Sequence, residues 1–209
     1  MTDTTGEPSA SGAGGETDLA ALVASRICHD IVSPVGAMRY ALELLPAAAS
    51  ESPEGRLMRD AVETALGRIE FFRMAFGDPG SGGEVSAKAM REMLAAAYAD
   101  SRSTVSWEDD EERPRGDMRI ACLGLACVDT ATPRGAQITV SRDGVGWAIS
   151  AEAPRLKIDA PLWNALGEGR VPDELHGAQV QFGLLAMASR TLRRPISLTV
   201  EEAGLILRV

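Results

Sequence analysis

The sequence predicts an α+β fold in which a helical hairpin, paired with a second copy as a dimeric four-helix bundle, is followed by an α/β sandwich. Three observations predict it. Apolar residues recur at helical spacing through two long segments on either side of Ser50-Glu51-Ser52-Pro53. A Ser81-Gly82-Gly83 stretch then reads as a linker. Beyond it, helix-like and strand-like runs alternate, with Asp143-Gly144 as a hairpin turn between two of the strands.

Residues 1–16 are rich in Thr, Ser and Gly without an apolar period, the composition of a disordered tail. Thr17 and Asp18 are suitable N-caps for a first helix reaching about residue 49. At about 100° per residue, Leu19, Val23, Ile27, Ile31, Val35, Met38, Leu42 and Leu45 collect on one stripe. Pro34 lies within this helix, where it has no N–H for the carbonyl of Asp30 and its ring crowds that carbonyl, so a local bend is expected. Because the stripe stays in phase to Leu45, the pattern favours one helix over a new one starting at Ser33-Pro34.

A second amphipathic helix is expected over residues 53–75, with Leu57, Ala61, Leu66, Ile69, Phe72 and Met74 as buried candidates, ended by Gly77-Asp78-Pro79-Gly80. Two helices alone cannot enclose their apolar stripes, so a second copy of the chain is expected to complete the bundle. Residues 17–80 therefore read as a hairpin and dimerisation domain, and residues 84–209 as a second domain. In the latter, helices are expected over 86–99, 117–130 and 176–192, and strands over 104–107, 137–141, 146–151, 196–200 and 205–209. This order fits helices lying against one face of a mixed sheet.

Composition narrows the function. The 209 residues are 45% hydrophobic, enough for a sizeable core. Apolar runs stay far below the roughly 20 residues that cross a bilayer, and the N-terminus lacks a basic start with an apolar core, so a soluble cytoplasmic protein without a membrane partner is expected. A net charge of -9 with scattered basic residues argues against nucleic acid as a partner. The three cysteines, Cys28, Cys122 and Cys127, form no Cys-x-x-Cys pair and the chain has two histidines, so no metal site is expected; Cys122 and Cys127 read as small buried hydrophobes, and Cys28 is assigned no role.

Chemistry concentrates in Arg26-Ile27-Cys28-His29-Asp30-Ile31-Val32-Ser33-Pro34-Val35. His29 falls opposite the apolar stripe, where its imidazole can face solvent or a partner, on a mostly small-residue surface with Ser25, Val32, Ser33, Gly36 and Tyr40. The other histidine, His176, beside Gly177 at the start of a helical pattern, reads as a cap or surface residue.

The pattern His-Asp-x-x-x-Pro followed by an aliphatic residue resembles the phosphoacceptor H-box of histidine kinases. The wider string from Leu22 to Ala37 is closer still to the ChpT-type histidine phosphotransferases of alphaproteobacteria. Beyond the H-box the resemblance rests on element order and on patches such as Ala131-Thr132-Pro133-Arg134-Gly135. It implies a dimeric hairpin carrying phosphohistidine at His29, with Asp30 orienting or polarising the ring. It also implies a second domain shaped like a kinase ATPase domain that no longer binds ATP. The implied partners are the receiver domain of a hybrid histidine kinase upstream, and response regulators of the CtrA type and single-domain receivers downstream. Receivers bring their own acceptor aspartate and acidic magnesium pocket, so no intrinsic cofactor is implied and Mg would come with the partner. Receiver docking is expected around His29 at Ser25, Arg26, Ser33, Pro34, Gly36, Ala37 and Tyr40.

A neutral imidazole suits such a relay, being a good nucleophile near neutral pH whose phosphoramidate stays reactive enough to pass the group on. The nucleotide signals of a working kinase are missing. Residues 120–129 carry no Asn, residues 151–155 lack Asp-x-Gly-x-Gly, the segment over 172–181 lacks Gly-x-Gly, and Asp143-Gly144-Val145-Gly146 is better placed as a hairpin. Two other readings stay open on the sequence alone: a divergent active histidine kinase, and a non-catalytic helical scaffold with His29 as a surface residue.

Overall fold

The structure, a computed structural model, describes residues 19–78 and 82–209. The expected tail, the N-caps Thr17 and Asp18, and Pro79, Gly80 and Ser81 lie outside the described residues. Helix α1 (Leu19–Glu43) runs through Pro34 without a break. It stops earlier than expected. Pro46 has no N–H for the carbonyl of Leu42 and disfavours helical geometry in the residue before it, so a separate turn, α2 (Ala47–Ser50), forms instead of a helix to residue 49. Helix α3 (Pro53–Phe76) begins as expected, with Pro53 in its first turn and the Ser52 hydroxyl accepting from the N–H of Gly55 at 3.0 Å.

The face of α1 that meets α3 differs from the expected stripe. Ala21, Cys28 and Leu42 are buried, at multiples of seven residues, and Val35 between them is half-buried. Val23, Ile27, Ile31 and Met38 stay 45–57% exposed. The apolar residues of α1 span two adjacent faces, and the small-residue face approaches α3. On α3, Ile69 and Met74 are buried and Leu66 half-buried as expected, while Leu57, Ala61 and Phe72 are exposed.

Two antiparallel residue pairs join β1 (Glu84–Val85) to β3 (Arg113–Pro114). The main sheet has the order β2-β4-β5-β7-β6, built from β2 (Thr104–Trp107), β4 (Gln137–Asp143), β5 (Gly146–Glu152), β6 (Ser197–Val200) and β7 (Gly204–Arg208). β2 and β4 are parallel and the other neighbours antiparallel, the expected mixed sheet. The β4–β5 turn is one residue later than expected: Asp143 pairs with Gly146, and Gly144, at φ 59°, opens the turn in the region glycine adopts without strain.

Helices α4 (Ala87–Ala97), α5 (Arg115–Ala131) and α7 (Val180–Leu192) match the three expected; α7 is preceded by a 3₁₀ turn over Gly177–Gln179. An additional helix, α6 (Ala160–Gly167), spans about two turns, too short to display a period in sequence. α5 is buried along most of its length, and Gly124 lets it sit against the sheet: a Cβ there would lie 2.9 Å from Ile149 Cδ1. Cys122 and Cys127 are fully buried, as expected, and burial pushes both thiols up.

The hairpin is not independent of this layer. Phe71, Met74 and Ala75 of α3 belong to the same core as Leu123, Ile149 and Phe182. Gly67 of α3 lies against α4, where a Cβ would stand 2.6 Å from the backbone of Ala96. At the other end of the layer the start of α5 is pinned. The carboxylate of Asp117 pairs with Arg142 at 3.0 Å and with Arg194, its carbonyl accepts from Trp147 Nε1 at 3.1 Å, and the Arg142 guanidinium stacks on that indole.

Near the C-terminal end of α5, Asp129 is half-buried and accepts from the Ser103 hydroxyl at 3.2 Å. Burial raises its pKa, opposed by that hydrogen bond and by Arg68. A raised carboxylate pKa means the folded chain takes up this proton before the unfolded chain does as pH falls. The ionised form therefore costs stability above the raised pKa, and the cost disappears as pH falls through it. Asp129→Asn should raise the melting temperature at neutral pH, with the gain fading in mild acid; calorimetry across pH checks this, and a gain independent of pH would contradict it.

Candidate functional site

His29 sits in the first half of α1, and its side chain is 78% exposed. Helical geometry gives α1 three faces: the small-residue face against α3, the exposed apolar face, and the one carrying His29 at the rim of the first. The neighbouring residue supplies an electrostatic partner. His29 Nδ1 lies 3.2 Å from Asp30 Oδ1, while Arg26 Nε donates to Asp30 Oδ2 at 2.8 Å from one turn earlier. The hydrogen bond from His29, reinforced by the Arg26 guanidinium, holds the Asp30 carboxyl below its ordinary value. An ionised carboxylate only accepts, so the Nδ1 facing it carries the ring proton. The lone pair then sits on Nε2.

The ring opens into a cleft of about 420 Å³, lined by Ser25, His29 and Val32 of α1, by Arg73 and Asp78 at the end of α3, and by Arg115 at the start of α5. The structure thus brings Ser25, Arg26, His29 and Asp30 together. Ser33, Pro34, Ala37 and Tyr40 are exposed on α1 outside the cleft lining, with Pro34 turned toward the apolar face. Gly36 is half-buried, yet a Cβ built on it would meet nothing within 4 Å.

Arg73, Asp78 and Arg115 did not emerge from the sequence. Arg73 is an ordinary helix cation by pattern, and Arg115 is 86 residues from His29; only tertiary packing juxtaposes them. Cys28, beside His29, turns inward, and burial raises its thiol pKa. His176 is exposed at the N-cap of the 3₁₀ turn, its N–H donating to Gln179 Oε1 at 3.1 Å, in keeping with the expected cap. A second cavity, between α3, α5 and α7, is lined by Phe71, Tyr98, Asp129 and Gln181 and contains none of the expected site residues. Among the described residues, no group of three or more His, Cys, Asp or Glu side chains is placed to hold a metal ion.

Residues 87–204 match the model of the histidine phosphotransferase C-terminal domain. The chain belongs to the histidine phosphotransferase family. The protein phosphotransferase ChpT of Brucella abortus (strain 2308) is 28% identical over an alignment of 194 positions that covers 88% of this chain and 92% of that protein. A solved structure of a bacterial phosphotransferase superposes with a TM-score of 0.65 at 23% identity, covering 94% of this chain and 98% of that one, so the two share a fold. The expected kinship and fold class hold, and the family makes the chain a phosphotransferase. Among the described residues, no helix is long and apolar enough to cross a membrane.

The His29–Asp30 pair makes one direct prediction. Asp30→Asn replaces an acceptor-only carboxylate with an amide that can also donate, so the ring should lose its preference for the Nδ1-protonated tautomer. Nitrogen chemical shifts of His29 at mildly alkaline pH read the tautomer ratio; an unchanged ratio would show that Asp30 does not set it.

Proposed function

We propose that the chain is a phosphorelay intermediate: His29 accepts a phosphoryl group from a receiver-domain aspartate and returns it to another, without binding ATP. The observation that carries this reading is the exposed imidazole of His29 with Nδ1 held on Asp30, within a chain of the histidine phosphotransferase family. Asp30 is assigned the role of orienting the ring so that Nε2 is the nucleophile. The missing Asn over residues 120–129, and the absence of Gly-x-Gly over 172–181, support a second domain that has lost nucleotide binding.

Kinship with ChpT supports the partners: a receiver of a hybrid histidine kinase as donor, and CtrA-type regulators and single-domain receivers as acceptors, in the cytoplasm. Each receiver would supply the Mg that neutralises the transferring group. Docking is assigned to the face around His29, with Ser25, Arg26, Ser33, Gly36, Ala37 and Tyr40 near the ring and Pro34 at its margin. The exposed apolar residues support a homodimer. Ile27, Ile31 and Met38 of α1 and Leu57, Met58 and Phe72 of α3 form apolar faces on both helices of one hairpin, and a second copy would cover them in a four-helix bundle. Residues 17–80 then serve phosphotransfer and dimerisation, and residues 84–209 form the degenerate ATPase-like domain.

Three measurements test the reading. Incubation with a phosphorylated receiver should label the chain with an acid-labile, base-stable phosphate that His29→Ala abolishes and His176→Ala leaves intact. Labelled ATP should give no label, and normal labelling of His29→Ala would remove the assignment. Gly36→Trp, at a position where a Cβ has open space around it, should slow transfer from the receiver by orders of magnitude while circular dichroism and mass in solution stay unchanged; transfer at the normal rate would place docking elsewhere. Sedimentation should give a dimer at micromolar concentration, and Ile27→Glu with Ile31→Glu should shift it toward monomer, whereas a wild-type monomer would overturn the bundle.

A further inference from the structure

The H-box pattern accounts for His29 and Asp30 but leaves unexplained why the fold delivers two arginines to the same cleft. Arg115 is the first residue of α5. Its N–H donates to the carbonyl of Gly83 at 3.1 Å, and its guanidinium Nη2 donates to the carbonyl of Arg73 at 3.0 Å. The end of α3 and the start of α5 are thus tied together at the cleft. Two residues further on, Asp117 fixes this end of α5 to Arg142 of β4 and to Arg194 after α7. Arg73 is steadied from one turn back, its Nη1 pairing with Glu70 at 2.8 Å. Among the described residues lining the cleft, Asp78 is the one carboxylate, and the two guanidinium groups are the cleft's permanent cations.

We propose that Arg115 and Arg73 bind the phosphoryl oxygens while the group moves to and from His29. The proposal rests on His29 being the phosphoacceptor. In that transfer the Nε2 lone pair forms the P–N bond as the P–O bond to the receiver's aspartate breaks, leaving its electron pair on the carboxylate. Nδ1 keeps its proton against Asp30, and the return transfer reverses both bond changes. The three peripheral oxygens stay anionic throughout. Guanidinium groups are suited to such oxygens because they remain charged and present planar, paired N–H donors. Arg115 comes from the second domain, so this assigns that domain a part in the transfer itself in addition to docking.

A small donor separates phosphoryl binding from receiver docking. Phosphoramidate, which gives up its phosphoryl group with ammonia leaving, is incubated with the full-length chain and with its variants, and labelling of His29 is followed against donor concentration. Arg115→Ala and Arg73→Gln should each lower the rate roughly ten- to hundredfold, and Arg115→Lys should recover much of it, with melting temperature and dimer mass unchanged. If Arg115→Ala lowers the melting temperature, Arg73→Gln decides, since it leaves in place the backbone carbonyl that anchors Arg115. Wild-type labelling of Arg73→Gln and of any folded Arg115→Ala, with His29→Ala unlabelled, would overturn this proposal and leave the relay reading standing. Normal labelling of His29→Ala would remove both.

Discussion

Helix α3 is the member on which the two halves of the molecule depend. One of its faces closes on the small residues of α1, while Phe71, Met74 and Ala75 are embedded in the core formed by α5 and the sheet. Gly67 sets the spacing of the second contact, because any Cβ there would run into the backbone of α4 at Ala96. Displacing α3 by one side chain's thickness would separate His29 on α1 from Arg115 on α5. The two residues share no secondary structure, and their common cleft exists only because α3 packs against both helices. Burial of large apolar side chains supplies the energy for this arrangement, at roughly 1.5–3 kcal/mol for each one fully enclosed.

The pairing of His29 with Asp30 was legible in the sequence because it is local. An acid following a histidine on a helix, with a cation three residues before the histidine, is a one-dimensional pattern, and the structure joins Arg26, His29 and Asp30 by direct contacts. The order of the strands and the three longer helices of the second half was legible for the same reason: their periods run over enough residues to be counted. Which face of α1 meets α3 was not legible, because periodicity reports where apolar residues lie, not which neighbour covers them. Ala21, Ser25 and Cys28 carry little hydrophobic signal, yet small side chains let α3 approach most closely. The early end of α1 was written in Pro46, whose effect on the carbonyl four residues back was outweighed by the continuing apolar residues. Arg73 and Arg115 left no trace, since nothing local marks a cation that works across a tertiary contact.

Ring orientation and ring access come from different parts of the fold. Asp30 and Arg26 act from within α1 and set which imidazole nitrogen keeps the proton, so this feature would survive in an isolated helix. The cleft, in contrast, needs the end of α3 and the start of α5. That division bears on a domain lacking the expected nucleotide signals. Its core still fixes the first turn of α5 through Asp117, Arg142, Trp147 and Arg194, and this is the turn that presents Arg115. Loss of nucleotide chemistry would leave that scaffold intact, because none of these four residues belongs to the segments where the nucleotide signals are missing.

Charge leads to the same place. The chain carries a net charge of -9, and in the proposed relay its partner is a receiver whose acceptor site is itself acidic, so the mean fields of the two proteins would repel. At physiological ionic strength such fields are screened beyond about 8 Å, leaving contact-range charges to decide how a phosphoryl group is held. Around the cleft into which the ring opens the structure gathers cations: Arg26 on the same helix, and Arg73 and Arg115 lining the cleft, with Asp78 as the opposing carboxylate. Arg26 is engaged by Asp30 and so acts on the ring through that carboxylate. Under the proposed relay, an anionic group arriving at Nε2 would meet the two guanidinium groups of the cleft, and a protein acidic overall would still receive phosphate because its basic residues are placed where the group must travel.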